Sequence, residues 1–399
     1  MQSESLPPDA AEMNTLVQIG AGNIGRGYLA QLFFESGYRV VLADVVPQLV
    51  DRLREAGGYN LRVLDAYRGD AQTFRIEPIE AVAVGSSQFD TAIARATAVG
   101  TAVGVANLAA LALPLARALA ARMATGRKLN VFLCENALDA AQHLREAVLD
   151  QLDAVTADWV ATNIGFVGTS VARMVPVVDP AERDRDPLLV VADAYRRLPY
   201  DATAIVDRIP PDVPEFSPRP DFAAEVRRKL FLFNMCHASL AFLGAQSGYR
   251  YVHQSLQDRE HRARFIGAAQ EVSAALEAEY PDALAPADNA AMVQDMLVRC
   301  GNPLLRDTVA RVARDPLRKL AYADRLIGPA RLCARHGVAA PNLLRVIAAA
   351  FAYRDRSDPG AQRLAELTAS LDRRELVRTV TGLEPDSALF TQVLDALAR

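Results

Sequence analysis

Lys229, Asn234 and His237 are the residues whose types and spacing could carry proton chemistry. They interrupt the otherwise apolar stretch 227-RRKLFLFNMCH-237. In an α-helix turning about 100° per residue they fall near 0°, 140° and 80°, so one cleft could receive all three. The chain uses lysine only at 128, 229 and 319, which leaves 41 arginines among its 44 basic residues. A lysine retained in such a chain does what a guanidinium does not: once desolvated, it gives up its proton near neutral pH. That is the property of a general base. On spacing alone a second reading stays open, in which Lys229 is a solvated helix start and Asn234 and His237 are satisfied polar residues at a domain contact. The geometry also sets a problem. Eight residues of α-helix separate Lys229 from His237 by about 12 Å along the axis, and helical side chains lean towards the N-terminus. Either the lysine stem bends back or the helix begins irregularly.

The elements that must position these residues follow from the rest of the chain. Its 399 residues suffice for two domains, and 51% hydrophobic with 23% charged residues is the composition of a globular enzyme. A net charge of −4, with basic and acidic residues interspersed, argues against nucleic acid as a partner. Cys134, Cys236, Cys300 and Cys333 lie far apart and form no metal-ligand or disulfide spacing, so they read as reduced, packed thiols of a cytoplasmic protein without a metal site. The uncharged run from Ala96 to Ala116 is long enough to span a membrane. Its two glycines, asparagine, proline and two threonines instead suggest a buried strand, a loop and the start of a helix, and no membrane partner is expected. The polar N-terminus lacks a secretory signal and reads as a tail, with Met13 an alternative start.

LVQIGAG leads a short apolar run into Gly20-Ala-Gly22-Asn23-Ile24-Gly25, and Leu29, Leu32 and Phe33 follow at helical spacing. A second apolar run, RVVLADV, brings Asp44 to its end. Strand, glycine turn, helix and acid together predict a dinucleotide site. Gly20 makes the sharp turn, Gly22 lets the backbone approach a pyrophosphate, Gly25 permits close helix–strand packing, and Asp44 accepts hydrogen bonds from a ribose. No cation follows Asp44 closely, which favours NAD over NADP. Apolar runs continue through KLNVFLCEN and WVATNIGFVG, giving an α/β Rossmann domain with a doubly wound, mainly parallel sheet over residues 14–207. A connection with five prolines spans 208–222 and reads as stiff and irregular. From 223 to 399 only helical periodicities follow, so the C-terminal domain is expected to be all-α.

Together these residues resemble the polyol-specific long-chain dehydrogenases. The likeness rests on Lys229-x4-Asn234-x2-His237 in RKLFLFNMCHASLAFLG, on IGAGNIGRG at 19–27, LCEN at 133–136, NIGFV at 163–167, and NPLLRDTVARVARDPLRKLAYADRLIGP at 302–329. It implies metal-independent, NAD-linked interconversion of a polyol phosphate and a ketose phosphate, of the kind D-mannitol 1-phosphate and D-fructose 6-phosphate. It further implies that Lys229 exchanges the hydroxyl proton while Asn234 and His237 hydrogen-bond the reacting oxygen. Asn136 matches a position near both substrate and nicotinamide. Arg311 and Lys319 match basic residues of the substrate pocket, although their spacing alone fits a cationic helix end equally well.

One departure bears on the substrate. Where the family reads Gly-Phe-Val-Asp-Ser and, two residues on, Asp-Arg-Ile, this chain has GFVGTSVARM, so Gly168 and Ala172 replace two carboxylates while Arg173 and Pro176 remain. This leaves open a related enzyme acting on a free polyol or a hexuronate such as fructuronate or tagaturonate, and an NAD-binding regulator without turnover. A monomer is the default expectation.

Overall fold

The computed structural model describes residues 14–137, 139–208 and 213–398. The expected N-terminal tail, with Met13, lies outside them, as do residues 209–212 of the proline-rich connection. Two compact units emerge: one comprises the chain up to Val63 with Gln72–Phe222, the other Leu64–Ala71 with Ala223–Arg399. Residues 64–71 thus group with the second unit although they fall inside the segment read as the first domain.

Among the described residues the strands are β1 Thr15–Ile19, β2 Arg39–Asp44, β3 Tyr59–Asp65, β4 Asp70–Ile76, β5 Ile79–Ala83, β6 Ala98–Thr101, β7 Leu129–Leu133, β8 Ile164–Gly168, β9 Val190–Asp193, β10 Leu198–Asp201 and β11 Phe216–Arg219. Six form one parallel sheet in the order β5-β2-β1-β6-β7-β8. The order reverses between β1 and β6, the switch point at which doubly wound sheets bind nucleotides at their strands' carboxyl ends. Both faces are covered, and strand alternation shows it: Leu129, Val131 and Leu133 of β7 enter one core cluster, whereas Phe132 and the following Cys134 enter another. Smaller sheets have the orders β4-β3-β9 and β10-β11. The sequence reading missed β11, which lies in the proline-rich connection. Pro218 is tolerated there because β11 has a single pairing partner, β10, so one of its edges needs no donor.

The uncharged run resolves into β6, a short loop and the helix Leu108–Met123, whose Leu108, Leu111, Leu115 and Leu119 join the core of the first unit. That stretch, Val105–Met123, is the one described helix long and apolar enough to cross a membrane, and 44% of it is buried in the fold.

From Ala223 onward the described residues form helices, with one isolated bridge between Tyr251 and Thr308. Several open on proline at the first turn, where no amide donor is needed, at Pro286, Pro341 and Pro359. At their centre lies Asn234–Gln246, buried nearly all round, from Met235 through Phe242, as an apolar helix without a polar stripe must be.

Candidate functional site

In the first unit the glycine turn is built as its spacing requires. Gly20 adopts φ +85, and a Cβ there would lie 2.5 Å from the Ala102 carbonyl oxygen; a Cβ on Gly25 would lie 2.0 Å from the Gly20 carbonyl oxygen. Any side chain at either position is therefore excluded. A Cβ on Gly22 meets nothing within 4 Å, so the backbone there is open to a ligand. Gly22 and Asn23 are exposed and Ile24 is half-buried. Asp44, at the end of β2, accepts from the Ala21 N–H at 2.8 Å and the Val46 N–H at 3.0 Å, tying the glycine turn to the next strand. Gly25–Leu29 is a π-helical turn, closed by the Ala30 N–H on the Gly25 carbonyl. The open turn, the acid and the strand order fit a dinucleotide.

Two supports of this turn escaped the sequence reading. Gln18, fully buried in β1, donates through Nε2 to the Ile19 carbonyl at 2.9 Å and fills the space beside Gly25 and Gly100. Glu135, at the end of β7, accepts from the Thr101 hydroxyl at 2.7 Å and the Val103 N–H at 2.9 Å, which fastens the loop after β6. Burial raises the pKa of its carboxyl. A buried polar residue in an apolar run was the available signal. Asn136 is exposed at the same end of β7.

In the second unit Lys229–Phe233 is a second π-helical turn, closed by the Asn234 N–H on the Lys229 carbonyl. This settles which face the three residues share, while the axial separation of Lys229 and His237 is left to the long lysine stem. A single π turn acts as one extra residue in the helix and sets everything downstream back by about 100°. Asn234 moves from about 140° to about 40°, and His237 from about 80° to about −20°, so both lie within about 60° of Lys229. The helix begins irregularly, and the irregularity aligns the three residues. Such turns recur at functional sites.

Desolvation, with a contribution from the Arg325 guanidinium, lowers the Lys229 ammonium from 10.5 to about 8. Asn234 is 9% exposed, and its Nδ2 has no hydrogen-bond partner among the described residues. Leaving an amide donor buried and unpaired costs about 1–3 kcal/mol. Its hydrogens are available to a substrate oxygen.

His237 Nε2 stands 2.9 Å from Asp307 Oδ2. Arg311 grips the same carboxylate with two bonds, Nε to Oδ1 at 2.7 Å and Nη2 to Oδ2 at 2.8 Å. Burial pushes the Asp307 carboxyl up, but the hydrogen bonds and charges of His237 and Arg311 outweigh it and hold the group well below the ordinary carboxylate range. Asp307 was not singled out from sequence; within RDTVAR it looks like an ordinary helical pair with Arg311. Two left-handed residues bracket this segment, Arg306 at φ 46 and Asp315 at φ 57, the two non-glycine positive φ values among the described residues. Strained backbone of this kind persists where the surroundings over-determine it.

Lys319 is 4% exposed and donates through Nζ to the Arg314 carbonyl. Burial, then the charges of Arg325 and Arg318, lower its pKa to about 7. Arg325 acts on both Lys229 and Lys319, and it was also missed. The segment carrying it leads to Gly328, where an added Cβ would lie 2.6 Å from the Phe231 ring of the π turn. The second unit therefore brings together Lys229, Asn234, His237, Arg311 and Lys319 on one helix and the segment 307–328 packed on it, whereas Asn136 belongs to the first unit.

Gly168 closes β8, and a Cβ there would lie 2.7 Å from Cε1 of Phe222. The aromatic ring stands against the place where the family's carboxylate would begin. Ala172 is 5% exposed.

Comparisons with known proteins agree with this arrangement. The mannitol dehydrogenase Rossmann domain matches residues 14–215, and the mannitol dehydrogenase C-terminal domain matches residues 222–389. Mannitol-1-phosphate 5-dehydrogenase of Bacillus licheniformis is 33% identical over 382 residues, covering 96% of this chain and 99% of the relative. Mannitol 2-dehydrogenase of Pseudomonas fluorescens, solved as a ternary complex with NAD and D-mannitol, shares the fold with a TM-score of 0.72 at 17% identity, over 97% of this chain and 91% of its own. A D-sorbitol dehydrogenase in substrate-free form superposes with a TM-score of 0.80 at 16% identity, over 97% and 93%. The chain therefore belongs to the mannitol dehydrogenase family of oxidoreductases.

Proposed function

We propose that this protein is an NAD-dependent, metal-independent dehydrogenase that interconverts a polyol phosphate and a ketose phosphate, D-mannitol 1-phosphate and D-fructose 6-phosphate. The observation that carries the reading is the π turn, which brings an ammonium lowered to about 8 and an unpaired buried amide donor to one face of the helix. Bound at the Gly20–Gly25 turn, NAD supplies the two-electron acceptor for the hydride of the carbinol carbon. In oxidation Lys229, as the free amine, takes the hydroxyl proton, while Asn234 donates to the oxygen as its charge grows. In reduction the Lys229 ammonium returns the proton to the forming alkoxide. Lys319 and the arginines near it make a cationic environment suited to a phosphate ester, and a relative at 33% identity bears the name of a mannitol-1-phosphate 5-dehydrogenase.

The Phe222 ring against Gly168 favours a second reading, a changed pocket that takes a free ketose or a hexuronate. NADH oxidation with fructose 6-phosphate, fructose, fructuronate and tagaturonate decides between them. Preference for fructose 6-phosphate supports the phosphate reading; turnover restricted to an unphosphorylated acceptor overturns it.

A further inference from the structure

We propose that Asp307 is a positioning residue that holds the His237 ring through Nε2 and so assigns Nδ1 to the reacting oxygen. The inference rests on the reading of His237 as a partner of that oxygen.

The argument starts from the carboxylate. Asp307 is 7% exposed and accepts two charge-assisted bonds from Arg311 at 2.7 and 2.8 Å. A carboxylate clamped in this way stays ionised, and an ionised carboxylate is an acceptor only. The 2.9 Å contact with His237 therefore requires a proton on Nε2. In the neutral ring Nδ1 is then an acceptor, and it becomes a donor only when the ring is an imidazolium. The one proton of the substrate hydroxyl goes to Lys229, so the ring serves the reacting oxygen as a donor: as an imidazolium its Nδ1 can donate to a carbonyl oxygen before reduction.

The backbone is fixed to match. The Asp307 carbonyl accepts from the Val252 N–H at 2.9 Å, Val309 N–H donates to the Arg250 carbonyl at 3.0 Å, and the Thr308 hydroxyl caps the following helix at the Arg311 N–H. These bonds anchor the carboxylate beside a helix that also carries Lys229 and Asn234. Part of Arg311's role is thus to hold Asp307, beyond any contact with substrate.

Nitrogen NMR of protein labelled at its five histidines tests the assignment, with the His237 signals identified by their loss in His237→Gln. The expected result is a neutral ring protonated on Nε2 in the wild type and a changed tautomer balance in Asp307→Asn. With any acceptor that the wild type turns over, Asp307→Asn is expected to lose on the order of a hundredfold in kcat, with NADH affinity within about threefold. Finding the wild-type ring protonated on Nδ1, or Asp307→Asn within about threefold of wild-type kcat, overturns the proposal. The tautomer is read without substrate, so it stands or falls separately from the substrate assignment.

Discussion

At the scale of single residues the proposed chemistry turns on one amine. In that proposal oxidation needs Lys229 neutral and reduction needs it charged, so with its pKa lowered to about 8 the two directions should respond oppositely to pH. The oxidation rate should rise and the reduction rate fall as pH passes through about 8. Lys229→Ala should abolish both limbs and leave NADH affinity within a few-fold; retention of more than about a tenth of the wild-type rate would remove Lys229 from the base role. Asp44 presents a different case, because the residue proposed to contact the ribose also anchors the Ala21 N–H. Asp44→Asn removes the charge and keeps one of the two acceptor oxygens, enough for the Ala21 N–H but not also for the Val46 N–H, so it should shift the NADP/NAD preference towards NADP at the cost of one hydrogen bond. An unchanged ratio in steady-state kinetics would count against the ribose contact.

At the scale of elements, Gly168→Ala should cost about 1–3 kcal/mol, because its Cβ meets Phe222 at 2.7 Å and the ring must shift. Removing the ring in Gly168→Ala with Phe222→Ala should make the glycine change nearly neutral. A double-mutant cycle by denaturant unfolding reads this coupling, and additive effects would show that the two positions do not oppose each other. Much at this scale was legible in advance. Gly20 and Gly25 foretold their turn because a Cβ would clash at both and Gly20 also holds a positive φ, whereas the space around Gly22 is open. The π turn at Lys229 was not legible, since Phe231, Leu232 and Phe233 are all buried and consecutive apolar residues satisfy either helical period. Asp307 was hidden because its partner His237 lies 70 residues away in the chain, a separation that local spacing does not encode. The prolines around β11 outweighed its strand character because a sequence does not show which edge of a strand needs donors.

At the scale of the whole molecule, two amines in one region carry an electrostatic cost. Lys229 and Lys319 have folded pKa values of about 8 and about 7 against an ordinary 10.5. Between those values and 10.5 the unfolded chain holds more protons than the folded one, so their contribution to stability improves as pH rises from about 7 to 10. Below about 7 the cost is present in full. Lys319→Met should therefore be more stable than wild type at pH 7 and gain less on raising the pH to 9, as read by urea unfolding at the two values. The same gain in both proteins would refute the coupling.

All four thiols are buried, and burial raises the pKa of Cys134 and Cys333 to about 12 and that of Cys236 well above its ordinary value. Alkylating reagents need an exposed thiolate, so the folded protein should resist iodoacetamide and react only during excursions that open it. Cys134 lies in the first unit and the other three in the second. The chain thus carries its own clocks: the labelling rate of each cysteine, resolved by peptide mass, times the opening of the unit that encloses it.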